Sequence, residues 1–279
     1  MRDAAFKSLA VGFFDGVHLG HQAILKGADA ALTFRNHPLT VLAPEKAPRL
    51  IMSVEERVAA IRACGVKDVM VLEFTSELAA LSPEEFVGSF LTRQECRVPS
   101  VRCGVNWRFG KGGAGDAEFL RKRGVTVEVM PYAEFKDERI SSSRIRRCLE
   151  RGEIEDANAM MGRKFKVQGS RFKGKGIGME IGYPTINLEL STLNLELPLG
   201  VYEVEVERQK AIANYGLAPT MGEQSWHQPM LEIHFLRCPP PPLLSTSVSF
   251  LRFIRPERRF DSVVDLKRQI AADCATIAP

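Results

Sequence analysis

The spacing of apolar and polar residues over the first 140 positions changes several times, and each change marks an element. Leu9–Phe14 (LAVGFF) is a short apolar run that reads as a buried strand. It breaks at Asp15-Gly16, and a helical segment carrying His18, Gly20 and His21 follows. Ala30–Phe34 predicts a second strand that runs into Arg35-Asn36-His37-Pro38. Ser53 and Glu56 have the spacing of a capping box for a helix through Cys64, with Gly65 just past its end. Asp68–Phe74 is the next strand, and Ser82-Pro83-Glu84-Glu85 opens a helix with proline at its first position. Val98–Cys103 and Val125–Met130 complete the strands, with a helix from Asp116 to Gly124 between them. Strands alternating with helices predict an α/β, doubly wound, mainly parallel Rossmann-like sheet.

The texture changes after the helix Asp156–Gly162. Phe165–Phe172, Val201–Glu207, Lys210–Asn214, Leu231–Leu236 and Ser247–Ile254 read as short strands, and every second residue from Tyr202 to Val206 is apolar. This predicts a small antiparallel β-barrel. A C-terminal helix follows, capped by Ser262, with Val263, Leu266 and Ile270 on one stripe. The expected domains are therefore 1–162 and 163–279.

The composition is that of a soluble globular chain, 45% hydrophobic and 26% charged. A net charge of +4 with acids and bases interleaved does not argue for nucleic acid, but it suits anionic nucleotides. Six scattered cysteines without metal spacing fit a reducing cytosol. No run approaches the ~20 apolar residues of a membrane span, and the first residues lack the apolar core of a secretory signal. A cytoplasmic protein is expected, with small-molecule partners and as a monomer or weak homo-oligomer.

Candidate chemistry gathers in four places. A strand running through a tight turn into a helix is a ready anion site, and His18 and His21 share one helix face there. Gly16 and Gly20 remove side chains where a nucleotide would approach the backbone. A zinc-binding pair is the alternative, but it needs three or four ligands and no Cys-x-x-Cys or second His pair lies nearby. His37, before Pro38, is placed at the carboxyl end of its strand, where open α/β sheets bind ligands. It reads equally as a turn histidine. The loop Gly104–Gly115, with five glycines, Asn106, Arg108 and Lys111, is either a flexible connection or a cradle for phosphates. Ser141–Ser143 at a helix start, with Arg146 one turn on from Ser143, can bind phosphate, or can be a cap with a solvated arginine.

Gly12-Phe13-Phe14-Asp15-Gly16-Val17-His18-Leu19-Gly20-His21 resembles the nucleotidyltransferase signature of the bifunctional riboflavin kinase/FAD synthetase family. The resemblance continues through Thr33-Phe34 with His37-Pro38, through Gly104–Gly110 with Trp107 where phenylalanine is usual, and through Ile140–Arg146 with Ser143 where threonine is usual. In the second half, Gly174–Asn187 is similar to the riboflavin kinase signature, Glu232-Ile233-His234 to E-V-H, and Arg255–Phe260 to the closing R-x-E-x-x-F. Met179 stands where arginine is usual, and Arg237–Leu244, with four prolines, replaces an acidic turn.

The resemblance implies that the chain phosphorylates riboflavin to FMN and adenylylates FMN to FAD, using ATP and Mg2+. It implies catalytic roles for His18, His21, Arg146 and Glu232. It assigns binding to Gly12, Phe13, Asp15, Gly20, Asn106, Ser142 and Ser143 in the first half. In the second half it assigns binding to Gly174, Gly176, Gly182, Pro184, Thr185 and Asn187, with Thr185 and Asn187 as magnesium ligands. The alternatives are an adenylyltransferase with a kinase-inactive barrel, or a non-catalytic flavin or nucleotide sensor.

Overall fold

The computed structural model describes residues 6–93, 96–97, 100–172, 178, 181–190, 197–217, 229–236 and 245–277. The chain forms two compact units, Met1–Ser142 and Ser143–Pro279.

In the first unit five parallel strands form one sheet: β1 (Ser8–Val11), β2 (Ala30–Phe34), β3 (Asp68–Leu72), β4 (Ser100–Gly104) and β5 (Thr126–Met130), in the order β3-β2-β1-β4-β5. Alternate residues of the central strands feed two cores. Leu9, Val11, Leu32 and Val101 pack on one face, and Ala10, Ala31, Leu25 and Ile61 on the other. Helices cover both faces, as a parallel sheet requires. They include α1 (Leu19–Leu25), α2 (Leu39–Leu42), α3 (Val54–Ala63), α4 (Ser76–Ala80), α5 (Pro83–Phe90) and α6 (Ala117–Arg121). The capping boxes Ser53/Glu56 and Ser82/Glu85 both form.

Three expected boundaries move. β1 stops at Val11, because after Gly12 donates to the Leu32 carbonyl the chain turns, and Phe14 is buried in a left-handed conformation (φ 59°). α1 begins only at Leu19, with His18 as its cap. β3 ends at Leu72, where the Asn36 carboxamide instead bonds the Phe74 backbone in both directions (2.8 and 2.9 Å).

α7 (Ser142–Glu150) begins at the junction between the units. The second unit continues with α8 (Ile154–Met161), which ends in a left-handed Gly162. The Asn158 carboxamide ties α8 to the sheet, donating to the Phe250 carbonyl (2.9 Å) and accepting from the Phe165 amide (2.6 Å). Six antiparallel strands then close a barrel: β6 (Phe165–Phe172), β7 (Thr185–Leu190), β8 (Gly200–Val206), β9 (Gln209–Gly216), β10 (Met230–Phe235) and β11 (Ser245–Pro256), in the order β6-β7-β10-β9-β8-β11. Tyr202, Val204, Val206, Leu231, Ile233 and Phe250 fill it.

The C-terminal helix α9 (Val263–Ala275) carries the Ser262 cap; of the expected apolar stripe Leu266 and Ile270 are half-buried, but Val263 is 55% exposed. A polar contact joins the apolar packing of Cys274 and Ile277 against Val201 and Ile212. Arg255 on β11 makes a forked contact with the buried Asp273 (2.7 and 3.0 Å), which also accepts from Gln269.

Candidate active sites

The strand order of the first sheet reverses between β1 and β4. In open α/β sheets the crevice beyond the carboxyl ends at such a reversal is the ligand site. The loop after β1 carries Phe13–His18 and the loop after β4 carries Asn106, so both flank this crevice. His18 caps α1, its Nδ1 accepting the His21 amide (3.3 Å), and the two imidazoles stack 3.6 Å apart. One first-turn amide of α1 is thus already used by the cap.

Burial pushes the His18 pKa down to about 4, with the charge of Arg139 adding to the effect. Burial and His18 hold His21 well below the usual histidine range. Both rings are therefore neutral near pH 7. Nδ1 of His21 is buried and has no hydrogen-bond partner among the described residues, a polar atom suited to a ligand.

The rest of the motif builds this turn. Gly16 adopts φ +78°, and a side chain there would strike Ile51. The space beside Gly12 and Gly20 is occupied by the rings of Phe14 and His18. The buried Asp15 carboxylate accepts the Ile51 amide, and Ser142 Oγ donates to the Asp15 carbonyl (2.9 Å). Val17 also has a positive φ (37°), which costs a β-branched residue on the order of 1–3 kcal/mol.

His37 lies at the carboxyl end of β2. Its Nδ1 accepts the Leu39 amide, and its ring makes a T-shaped contact with Phe13, the centroids 4.7 Å apart. The glycine-rich loop is less open than its composition suggests. Phe109 and Gly115 exchange backbone hydrogen bonds (3.0 and 2.8 Å), and Lys111 donates to the Leu81 carbonyl. Asn106, just after β4, is exposed. On α7, Arg146 Nη1 donates to Ser143 Oγ (3.4 Å), so these two residues share a helix face.

In the barrel, β7, β10 and β9 lie side by side. Leu231, Ile233 and Phe235 point inward, leaving Glu232 and His234 on the other face. Asn187 and Asn214 are the cross-strand partners of Glu232 on its two sides, and Thr185 Oγ1 donates to Glu232 Oε1 (2.8 Å). His234 Nδ1 donates to the Pro184 carbonyl (3.0 Å) and its ring packs against Tyr183. Gly178 is in close contact with the Tyr183 carbonyl and Thr185 Oγ1, where no Cβ would fit. Gly182 turns the chain at φ +84°. Gly174, Gly176, Met179 and the proline run fall outside the described residues. The side-chain oxygens of Thr185, Asn187 and Glu232 form a hard donor set that fits magnesium, which takes one or two protein oxygens and completes its shell with phosphates and water.

Arg139, Arg57 and Asn214 were not marked by the sequence. Arg139 directly precedes Ile140-Ser141, an available signal. Arg57 shares its helix face with Val54 and Ile61, a spacing that offered a signal of burial.

The chain matches the FAD synthetase family over residues 2–144 and the riboflavin kinase family over residues 161–278. The bifunctional riboflavin kinase/FMN adenylyltransferase of Bacillus subtilis is 32% identical over 95% of this chain and 89% of its own length. The chain belongs to the bifunctional riboflavin kinase/FMN adenylyltransferase family. The Escherichia coli (strain K12) member of that family is 31% identical, covering 95% and 90% of the two chains. A crystal structure described as a macrolide-efflux protein from Streptococcus pneumoniae aligns with TM-score 0.85 and 28% identity over 96% of this chain and 92% of that one. Among the described residues here, no helix is long and apolar enough to cross a membrane.

Proposed function

We infer that this chain makes FMN from riboflavin and then FAD from FMN, with ATP as the donor in both steps. The observation that carries this is the order of the two family matches along one chain, together with full-length similarity to bifunctional relatives. We assign adenylylation to residues 1–162 and phosphorylation to residues 163–279.

In adenylylation an FMN phosphate oxygen attacks the α-phosphorus of ATP, and the bond to the β-phosphate oxygen breaks to release pyrophosphate. The nucleophile is already an anion, so no base is required, and catalysis rests on positioning and charge stabilisation. We assign the positioning to His18 and His21 and the charge to Arg146. Gly12, Phe13, Asp15, Gly20, Asn106, Ser142 and Ser143 shape the nucleotide site. The neutral imidazoles and the orphaned His21 Nδ1 support hydrogen bonding rather than ion pairing as the role of the pair.

In phosphorylation the ribityl 5′-hydroxyl attacks the γ-phosphorus, its proton passes to Glu232, and ADP leaves. The Thr185 hydroxyl orients the Glu232 carboxylate. Thr185 and Asn187 would hold magnesium, which neutralises phosphate charge when bound. Gly174, Gly176, Gly182 and Pro184 are assigned to the adjoining ATP site. We place the protein in the cytoplasm as a monomer or weak homo-oligomer. The free thiols of Cys103, Cys148 and Cys274 support a reducing compartment.

The test is to incubate the purified chain with Mg-ATP and either riboflavin or FMN, and to separate the products by chromatography. FMN and FAD are expected from riboflavin, and FAD from FMN. Product from FMN alone would reduce the function to adenylylation, and binding without any product would make the protein a sensor.

A further inference from the structure

Arg57 on α3 is fully buried, an unusual place for a cation. Its Nη2 donates to two successive carbonyls at the end of β2, Phe34 and Arg35. Its guanidinium lies 4.1 Å above the ring of Phe13, in the loop after β1. The same ring makes a T-shaped contact with His37, their centroids 4.7 Å apart, so Phe13 touches both the arginine and the loop after β2. The main chain is tied at the same point, where Thr33 Oγ1 donates to the Phe13 carbonyl (2.8 Å). The nearby Asp15 carboxylate, also buried, attracts the buried charge and binds the Ile51 amide just ahead of α3.

Burying a charge is costly, and Nε and Nη1 of Arg57 have no hydrogen-bond partner among the described residues. Methionine would fill the volume without that cost. What methionine cannot supply is a planar cation that lies over an aromatic ring while one of its nitrogens donates to two carbonyls. Lysine, a point charge on a flexible stem, cannot supply it either.

We propose that Arg57 is a positioning residue of the adenylyltransferase half. It braces the loops after β1 and β2 so that Phe13–His18 and His37 keep a fixed spacing at the crevice. Arg57 has no exposed surface and acts through Phe13 and the Phe34 and Arg35 carbonyls. The proposal rests on the assignment of FAD formation to this half of the chain.

The test uses the full-length chain, in which FMN formation by the barrel half serves as an internal control. Arg57→Lys keeps the charge and loses the planar guanidinium over the Phe13 ring. Phe13→Leu keeps the carbonyl bonds and loses the platform. In both, kcat for FAD formation is expected to fall roughly 10- to 100-fold per folded molecule, the scale of a small misplacement of catalytic groups. FMN formation is expected to stay unchanged. Combining the two substitutions should cost little more than either alone, because they break one brace. A purely structural arginine would lower the unfolding temperature while leaving kcat per folded molecule intact, and that result in Arg57→Lys would overturn the proposal. Absence of FAD formation in the unaltered chain would instead overturn the assignment on which it rests.

Discussion

The two halves solve the same problem, bringing ATP to a flavin, with opposite architectures. In the front half all strands of the five-stranded sheet run one way, so the polar ends of loops gather at one rim, where His18 and Asp15 are buried and His18 stacks on His21. In the rear half the strands alternate in direction, and the candidate groups project from the outer face of three adjacent strands, with Glu232 exposed. The difference follows the nucleophile. A phosphate needs only to be held in place, which favours a rigid rim. A hydroxyl needs a carboxylate that can take up and release a proton, which favours an open wall.

The sharpest way to break this comparison is Glu232→Gln. FMN formation should fall by about 10²–10⁴, the usual contribution of a positioned base, while FAD formation from supplied FMN stays intact. His21→Ala should do the reverse, lowering FAD formation by roughly 10²–10³ as for loss of one preorganised hydrogen-bonding group. If either variant abolishes both activities while remaining folded, the division into two sites fails. Separating the products by chromatography reads both.

A third variant, Asp273→Asn, probes the barrel's polar anchor. Breaking a buried ion pair from one side costs about 3–5 kcal/mol, so heat should inactivate FMN formation well before FAD formation.

The smallest effect is in pH. Both front imidazoles stay neutral in the fold but protonate freely once unfolded, so below about 6.5 the unfolded chain binds more protons. The front half should therefore lose stability as pH falls from about 6.5 towards 4, with His18 alone contributing up to about 3 kcal/mol. Thermal inactivation of FAD formation should steepen over that range, whereas inactivation of FMN formation should not follow the same curve.

Much of this was legible in the sequence because local chemistry and global fold agree. Ser53/Glu56 and Ser82/Glu85 announce their helices, and Leu231, Ile233 and Phe235 alternate as a wall strand must. The row Thr185, Glu232 and Asn187 follows once those strands pair. Other features depend on contacts between distant segments. The apolar run Leu9–Phe14 reads as one strand, yet Phe14 is apolar because it fills a turn rather than a strand. Glycines 110 to 115 suggest openness, but the Phe109–Gly115 bridge closes them. Arg57 follows Glu55-Glu56, and although its spacing puts it on one face with Val54 and Ile61, its charge does not announce a buried side chain. Val263 has the spacing of an anchoring stripe yet is exposed, while Arg255 on Asp273 adds a polar tie that spacing cannot show.

The turn at Phe14 and Val17 has a further consequence. Left-handed backbone at two bulky positions is tolerable only while the surrounding core clamps it, since both residues are about 1% exposed. The segment is thus a loaded spring beside the histidines. Any loosening of its packing should release this turn before the sheet opens, exposing its amides to hydrogen exchange ahead of those in β1 and β2.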